Sequence, residues 1–249
     1  MRVYRFALIL VCIGFIGCGL TFDKSVPDVP LIVSKALSFH GEEMFQRSSI
    51  SMTITSLSGS FEIYSTRDGG NFEYTITDSR SNRRVTLSNT LVQEWHDGKQ
   101  LTLDEEGERR ARAFVDARVF FPLLPFTLRG DDVHFKDLGL ENWHGQNLHK
   151  IKVFFTPDTS NDADDNYMFW FDPDTGRIEQ FGYDFNGGLR YRKAIEFIRA
   201  GNILFSNQEN YGIDGGRVPV EMLSPSYVDE KMRLISSVEL RNISVNPLR

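Results

Sequence analysis

Histidine and aspartate are the residues of this sequence whose spacing could indicate a metal site. His134, His144 and His149 fall in one stretch, and residues 157–166 contain four aspartates. The histidine spacing fits no ligand pattern on one helix or turn, and the aspartate-rich stretch lacks the central Gly and the terminal Glu of an EF-hand. We therefore expect exposed histidines, a solvated loop, no metal and no cofactor.

Catalytic side chains are equally sparse. No G-x-S-x-G, phosphate-binding loop or G-x-G-x-x-G occurs, and both cysteines, Cys12 and Cys18, lie in the apolar N-terminal segment. His40 could act as a base, but it lies on the apolar stripe of a predicted helix, which is typical of a hydrogen-bonded core histidine. The sequence therefore predicts no enzyme.

The first residues have the features of an export signal. Arg2 and Arg5 precede the apolar run 6–16, as the charged and apolar regions of a secretory signal do. Gly14 and Gly17 interrupt the run before it reaches the ~20 apolar residues that a spanning helix needs. We expect a signal peptide over residues 1–17.

Cys18 is the predicted site of lipid attachment. Phe15-Ile16-Gly17-Cys18 resembles the bacterial lipobox, in which a small residue precedes a cysteine that becomes lipidated. Residues 18–29 would then form a lipidated tether, and Gly19 provides no aspartate-type signal for retention in the inner membrane. We expect an outer-membrane lipoprotein facing the periplasm; a plain cleaved signal and a retained membrane anchor are the alternatives.

Net charge restricts the partners. Without residues 1–17 the chain has 26 basic and 34 acidic residues, a net charge of −8. This argues against nucleic acid, which requires a basic face, and against electrostatic adhesion to anionic lipid. We expect the lipid at the N-terminus to be the membrane contact, and the protein to be a monomer without disulfides.

Two helices are predicted from hydrophobic spacing. Apolar residues recur at i, i+3 and i+4 over Val29–His40, and Gly41 suits the C-cap. Residues 104–121 begin with acidic residues and are followed by Pro122, so they form the second predicted helix.

Strands account for most of the remaining chain. Apolar and polar residues alternate at Ile50–Thr55 and Phe72–Thr77, and similar short segments recur to residue 200, separated by turns. About ten strands result, too many for a flat sheet, so the sheet must curl or close. Residues 30–249 are predicted to form one mainly β domain.

Several motifs occur in an order that resembles a known family. They are Ser38–Gly41, Phe121-Pro122, Pro125-Phe126, His149–Phe155, Asn166–Phe185, Gly187–Ala194 and Gly201–Tyr211. Together they resemble an uncharacterised bacterial family of exported, often lipid-anchored proteins, similar in shape to the LolA/LolB lipoprotein-carrier fold. The resemblance implies a large curved antiparallel sheet, an open or half barrel, with two helices covering an apolar concave side. It implies no established activity.

Some relatives of this kind carry a deoxyribose-phosphate aldolase label, which the sequence argues against. That chemistry uses a Schiff-base lysine on a barrel of alternating strands and helices. Here strands follow strands, and Lys150, Lys152 and Lys193 fall on predicted strands without an accompanying nucleophile motif.

Aromatic residues provide the main functional indication. The chain has 20 Phe, 8 Tyr and 3 Trp, which could fill a large core or line a cavity. The loop from Phe121 to Phe126 contains two prolines, so it continues neither a helix nor a central strand. It could be a lid, with its two phenylalanines facing Trp170, Tyr183 and Tyr191, or a plug that completes the core.

Two functions remain open at this point. The first hypothesis is a lipid-anchored periplasmic carrier for an apolar ligand such as an acyl chain or lipid. The alternative is a non-catalytic envelope scaffold with a packed interior, and an unrecognised enzyme ranks third. An aromatic-lined void would favour the carrier, and a filled interior would favour the scaffold.

Overall fold

One antiparallel sheet organises the chain. The structure, a computed structural model, describes residues 29–156, 166–216 and 218–248. Within them, the 13-stranded sheet has the order β6-β5-β4-β3-β2-β1-β13-β12-β11-β10-β9-β8-β7. The strands are β1 Arg47–Ser56, β2 Gly59–Asp68, β3 Asn71–Asp78, β4 Arg83–Ser88, β5 Val92–His96, β6 Lys99–Gln100, β7 Val133–Trp143, β8 Gln146–Phe155, β9 Asn166–Phe171, β10 Ile178–Phe185, β11 Gly188–Ala200, β12 Ile203–Asp214 and β13 Arg233–Pro247.

The sheet has two halves that meet in its middle. Strands β1 to β6 run outward to one edge, and β7 to β13 return from the other edge. β13 pairs antiparallel with β1, from Ser48 opposite Pro247 to Thr55 opposite Glu239, with an irregularity after Ser51. This pairing makes one sheet from both halves.

Four helices accompany the sheet in the described residues. They are α1 Leu31–His40, α2 Glu42–Phe45, α3 Glu105–Val119 and α4 Pro225–Lys231, with 3-10 turns at Phe126–Leu128 and Val220–Met222. The predicted helices over Val29–His40 and 104–121 correspond to α1 and α3. The Asp104 carboxylate accepts a hydrogen bond from the Gly107 N–H at 2.7 Å and so caps α3. None of the described helices is both long and apolar enough to cross a bilayer.

Both faces of the sheet are covered near β8 to β11. An inner cluster joins apolar residues of α1, α3 and the loop after α3 to one face of both sheet halves. An outer cluster packs the segment around α4 on the opposite face. Strand β9 shows the alternation: Tyr167, Phe169 and Phe171 belong to the inner cluster, and Met168 and Trp170 belong to the outer one.

The predicted fold class, a large curved open antiparallel sheet with helices on its concave side, is confirmed. The count of about ten strands and two helices was too low, because β12, β13, α2 and α4 were not predicted. Val238 and Leu240 are the only buried residues among the 15 of β13. The alternation of apolar and polar residues in this strand is therefore weak. α4 covers the outer face, whereas both predicted helices cover the inner one.

Gly41 fixes the end of α1 against the sheet. Its φ of 98° places it in the left-handed region, where it forms the helix C-cap. A Cβ built on Gly41 would lie 2.0 Å from the carbonyl oxygen of Asn202, in the turn before β12. Only glycine allows the two backbones to approach this closely.

We predict that Gly41→Ala lowers the free energy of unfolding by more than ~2 kcal/mol. The left-handed conformation alone costs a non-glycine residue about 1–2 kcal/mol, and the collision with Asn202 adds to that cost. Gly69→Ala is the control, because Gly69 also has a positive φ, of 60°, but a Cβ there meets nothing within 4 Å. Urea unfolding of both variants measures the difference, and equal losses would contradict the close packing at Gly41.

Candidate functional site

The loop after α3 packs deeply on the inner face. Leu123, Leu124, Phe126 and Leu128 are all buried. The Phe126 ring stacks on Phe45 of α2, with centroids 4.1 Å apart and an interplanar angle of 9°. Phe126 therefore fits the description of a plug better than that of a lid.

Phe121 lies on β10. Its ring stacks on Phe181 at 5.4 Å and on Tyr183 at 5.0 Å. The guanidinium carbon of Arg192 lies 4.1 Å from the centroid of Phe121 on the same face. The structure thus brings Phe121 and Tyr183 together.

Trp170 and Tyr191 lie on the other face of the sheet, so the prediction that they face the loop is wrong. Trp143 packs against both, at 4.7 Å from Trp170 and 5.6 Å from Tyr191. The Tyr191 hydroxyl donates to Gln180 at 2.7 Å within this outer cluster. Both faces of the sheet carry buried aromatic rings here. The hydrophobic pattern of the sequence therefore did not indicate on which face each ring lies.

An open groove lies beside this loop, between the two halves of the sheet. Its volume is about 500 Å³. We call it the aromatic groove, and its lining consists of Arg67, Phe72, Tyr74, Leu87, Ser88, Asn89, Arg112, Asp116, Val119, Phe120, Thr127, Asp132, Phe155 and Tyr167. Strands β2 to β4 supply one wall, and β8 and β9 supply the other. The end of α3 lies between these walls.

Aromatic rings dominate the second wall of the groove. Phe120 lies 5.3 Å from Tyr167 and 6.0 Å from Phe155, and Tyr167 continues to Tyr183 at 5.6 Å. Phe120 and, on the first wall, Phe72 are only half-buried. The groove therefore leaves apolar ring surface available to a ligand.

Arg67 lies among the rings of the first wall. Its Nη2 donates to the Tyr74 hydroxyl at 2.8 Å. Its guanidinium carbon lies 5.3 Å from the Phe45 centroid, 5.4 Å from Phe72 and 5.9 Å from Tyr74. Its Nε is buried without a hydrogen-bond partner. Among the described residues, no carboxylate pairs with Arg67.

The histidines that the sequence offers as metal ligands do not form one site in the structure. His134 shares a hydrogen bond with Thr156 at 2.8 Å, and His149 does so with Asp137 at the same distance. Over residues 29–156, 166–216 and 218–248, no group of three or more His, Cys, Asp or Glu side chains could hold a metal ion. The aspartates at 158–165 and Cys18 lie outside the described residues.

The lysines considered for Schiff-base chemistry lie on strands. Lys150 pairs with Glu141 at 3.0 Å, and Lys152 pairs with Glu221. Lys193 is exposed on β11. These placements agree with ordinary surface or rim roles.

A larger depression of about 740 Å³ lies at the end of α1, away from the aromatic groove. Charged residues supply much of its lining, including Glu42, Glu43, Arg47 and Arg199. We favour the smaller groove as the candidate site because five aromatic side chains line it, whereas Phe39 is the one aromatic residue that lines the larger depression, and apolar and aromatic lining is typical of ligand pockets.

His40 is a buried structural histidine. Its Nδ1 donates to the Leu204 carbonyl at 3.1 Å, and its Nε2 accepts the Ile178 N–H at 3.4 Å. These partners select the neutral imidazole and connect α1 to β10 and β12. Burial lowers the pKa of His40 to about 4, and although the bond to Leu204 opposes this shift, the charges of Arg199 and Arg177 reinforce it.

Comparison with known proteins identifies a family of unknown function. A family model described as DUF6503 matches residues 32–240. The prediction of an uncharacterised family is therefore confirmed. A search of the curated proteins finds no match.

Solved structures with a similar chain course include three bacterial proteins. A domain named for outer membrane lipoprotein sorting, from Vibrio parahaemolyticus, is 10% identical, with 86% of this chain and 90% of that chain covered and a TM-score of 0.48. A LolA superfamily protein from Nitrosomonas europaea is 12% identical, with 88% and 92% covered and a TM-score of 0.47. A DUF1329 family protein from Desulfovibrio piger is 11% identical, with 86% and 91% covered and a TM-score of 0.46. Likenesses this distant carry no argument about function.

We predict that the protein loses about 2–3 kcal/mol of stability between pH 6.5 and 4.5 through His40. The pKa of His40 is about 4 in the fold against an ordinary 6.5. The unfolded chain therefore binds a proton in this range before the folded chain does, and stability falls as the pH falls. The contribution of His40 becomes constant about one pH unit above the ordinary pKa of 6.5.

Urea unfolding at several pH values measures this effect. His40→Gln should be less stable at pH 7 but should show a flatter pH dependence. His96→Gln, at an exposed histidine of β5, is the control for the substitution itself. Identical slopes in wild type and His40→Gln would rule out a buried neutral His40.

Proposed function

We propose that this chain, which belongs to the DUF6503 family of unknown function, binds or carries an apolar ligand such as an acyl chain or a lipid. The aromatic groove is the observation that carries the proposal. Its volume of about 500 Å³ falls within the roughly 300–1,000 Å³ range of small-molecule pockets. Its rings come from both halves of the sheet.

The groove offers a physical reason for binding. Phe72 and Phe120 keep part of their ring surface in contact with water. Covering such surface with a ligand chain gains about 25 cal/mol per Å² of apolar area. Other parts of the inner face are closely packed, so we place the ligand beside the loop after α3 and not beneath it.

The role of each predicted lining residue follows from this position. Phe126 completes the core against Phe45, and Phe121 with Tyr183 closes the inner end of the row of rings that begins at Phe120. Trp170 and Tyr191 support the sheet from the outer face. Phe72, Phe120, Phe155 and Tyr167 replace them as the proposed ligand contacts.

A scaffold role is the second candidate, because apolar side chains are exposed at one edge of the sheet. Leu138 and Leu140 of edge strand β7 and Phe154 of β8 are all exposed. An edge strand also has backbone groups available for pairing with another chain. If the groove binds nothing, this edge is the surface on which a partner protein would be sought.

We propose no catalytic role. The groove lining contains no histidine, lysine or cysteine, so the described groove offers no residue for a Schiff base, a thiol nucleophile or a histidine-activated hydroxyl. Binding by shape and apolar contact fits the residues present.

Export and anchoring complete the proposal. We place the protein at the outer membrane, facing the periplasm, as a monomer held by a lipid on Cys18. The anchor would keep the groove close to a source of acyl chains. One acyl chain gives only marginal membrane binding, whereas two or more give stable anchoring.

We predict that wild-type protein binds an anthroyloxy-stearate probe and that Phe72→Gln weakens this binding at least about fivefold, since the change removes apolar wall area. Phe197→Gln is the matched control. Phe197 is also a half-buried strand phenylalanine beneath an arginine, Arg177 at 4.4 Å, but it does not line the groove. Fluorescence titration gives both affinities.

Two outcomes would count against the carrier. The first is the absence of probe binding to wild-type protein at micromolar concentration. The second is an equal loss in the two variants, which would place the probe outside the groove.

We predict that Cys18→Ser abolishes lipid attachment, and with it membrane retention or signal processing, whereas Cys12→Ser leaves both intact. Fractionation and mass spectrometry of the mature N-terminus measure these changes. Unchanged retention and cleavage in Cys18→Ser would refute attachment at this residue.

A further inference from the structure

Arg67 and Arg192 are the half-buried strand arginines that pair with no carboxylate in the described part of the chain, and of these two Arg67 lines the aromatic groove. Arg83 pairs with Glu94 at 2.8 Å, and Arg190 pairs with Asp214 at 2.8 Å. Arg67 has no such carboxylate among the described residues. Among the described residues, the one hydrogen bond of its side chain goes to the neutral hydroxyl of Tyr74.

The residues around Arg67 position its guanidinium but leave most of its N–H donors without a hydrogen-bond acceptor among the described residues. A guanidinium has five N–H donors in one plane. Three rings, those of Phe45, Phe72 and Tyr74, lie within 6 Å of its carbon and stabilise the cation through their faces. Ring faces accept no in-plane hydrogen bonds of the kind that carboxylate and phosphate oxygens accept.

Arg67 also lies where a ligand would reach it. Arg67, Phe72 and Tyr74 all line the aromatic groove. The second arginine of the groove lining, Arg112 of α3, lies 3.9 Å from the carboxylate of Glu108, and its side chain is 38% exposed. Arg67 is therefore the cation that is embedded among the apolar contacts.

We propose that Arg67 receives the anionic headgroup, a carboxylate or a phosphate, of a single-chain amphiphile whose apolar chain lies on the rings of the groove. This inference rests on the proposed function and specifies its ligand class. The groove also contains Asp116 and Asp132, both of which have interactions of their own. Arg67 would supply the discrimination between an anionic headgroup and a neutral one.

Two probes that differ only in the headgroup test the proposal. They are 12-(9-anthroyloxy)stearic acid and its methyl ester, titrated below their aggregation concentrations. Wild-type protein should prefer the acid by roughly tenfold or more, because hydrogen bonds to charged groups are among the strong ones. Arg67→Gln should weaken acid binding by a similar factor and change ester binding less than about twofold.

Matched variants separate binding from folding. Arg118→Gln is the control, because Arg118 also lies over two rings, Phe61 at 4.4 Å and Phe114 at 3.7 Å, with a buried unpartnered Nε. It does not line the groove and should leave both affinities unchanged. Arg67→Lys keeps the charge and should retain part of the preference for the acid. If Arg67→Gln does not fold, the ratio of acid affinity to ester affinity, measured for the wild type and for Arg67→Lys, tests the proposal instead.

Competition identifies the source of the anion. Hexadecyl phosphate should displace the acid probe, and millimolar inorganic phosphate should not, if chain and headgroup bind together. Displacement of the acid probe by inorganic phosphate alone would overturn the proposal that the ligand is an amphiphile. Equal wild-type affinity for acid and ester would overturn the role of Arg67 while leaving the carrier intact, and binding of neither probe would defeat the carrier itself.

Discussion

The pairing of β13 with β1 is the constraint on which the rest of the structure depends. It joins two halves of one sheet that the chain builds from opposite edges, using residues near both ends of the described sequence. The aromatic groove exists only because of this junction, since β2 to β4 form one wall and β8 and β9 form the other. α3 follows β6 and precedes β7 in the chain, so it connects the two outer edges of the sheet. The inner cluster is therefore enclosed from both edges.

The inner face combines apolar packing with cations that lie on rings. Arg118 lies 3.7 Å from the Phe114 centroid, Arg192 lies 4.1 Å from Phe121, and Arg67 lies among three rings. Burial lowers the pKa of Arg118, and the charge of Arg83 adds to this effect. Flat guanidinium groups fit between rings without interrupting the apolar surface, and their edges remain able to donate hydrogen bonds. An inner face of this composition is consistent with the amphiphilic ligand that we propose.

Sequence patterns predicted the local secondary structure well. They did not predict which face of the sheet each aromatic side chain occupies. The end of α1 at Gly41, the helix over 104–121 and most strands follow from spacing, acidic first-turn residues and turn residues. The face of each aromatic did not follow, because Phe169 and Trp170 are neighbours in β9 and both are fully buried. A sheet covered on both sides gives the same hydrophobic signal for either face. The groove itself needed the long-range β1–β13 pairing, which local periodicity does not encode.

Photo-crosslinking with a diazirine-labelled fatty acid, followed by peptide mapping, tests the central claim most directly. The account predicts adducts on the groove, in peptides from β3 that carry Phe72 and Tyr74 and in the segment from Val119 to Thr127. An excess of unlabelled fatty acid should compete these adducts away. Adducts confined to peptides of the outer cluster, or labelling of native protein no greater than that of denatured protein, would contradict it.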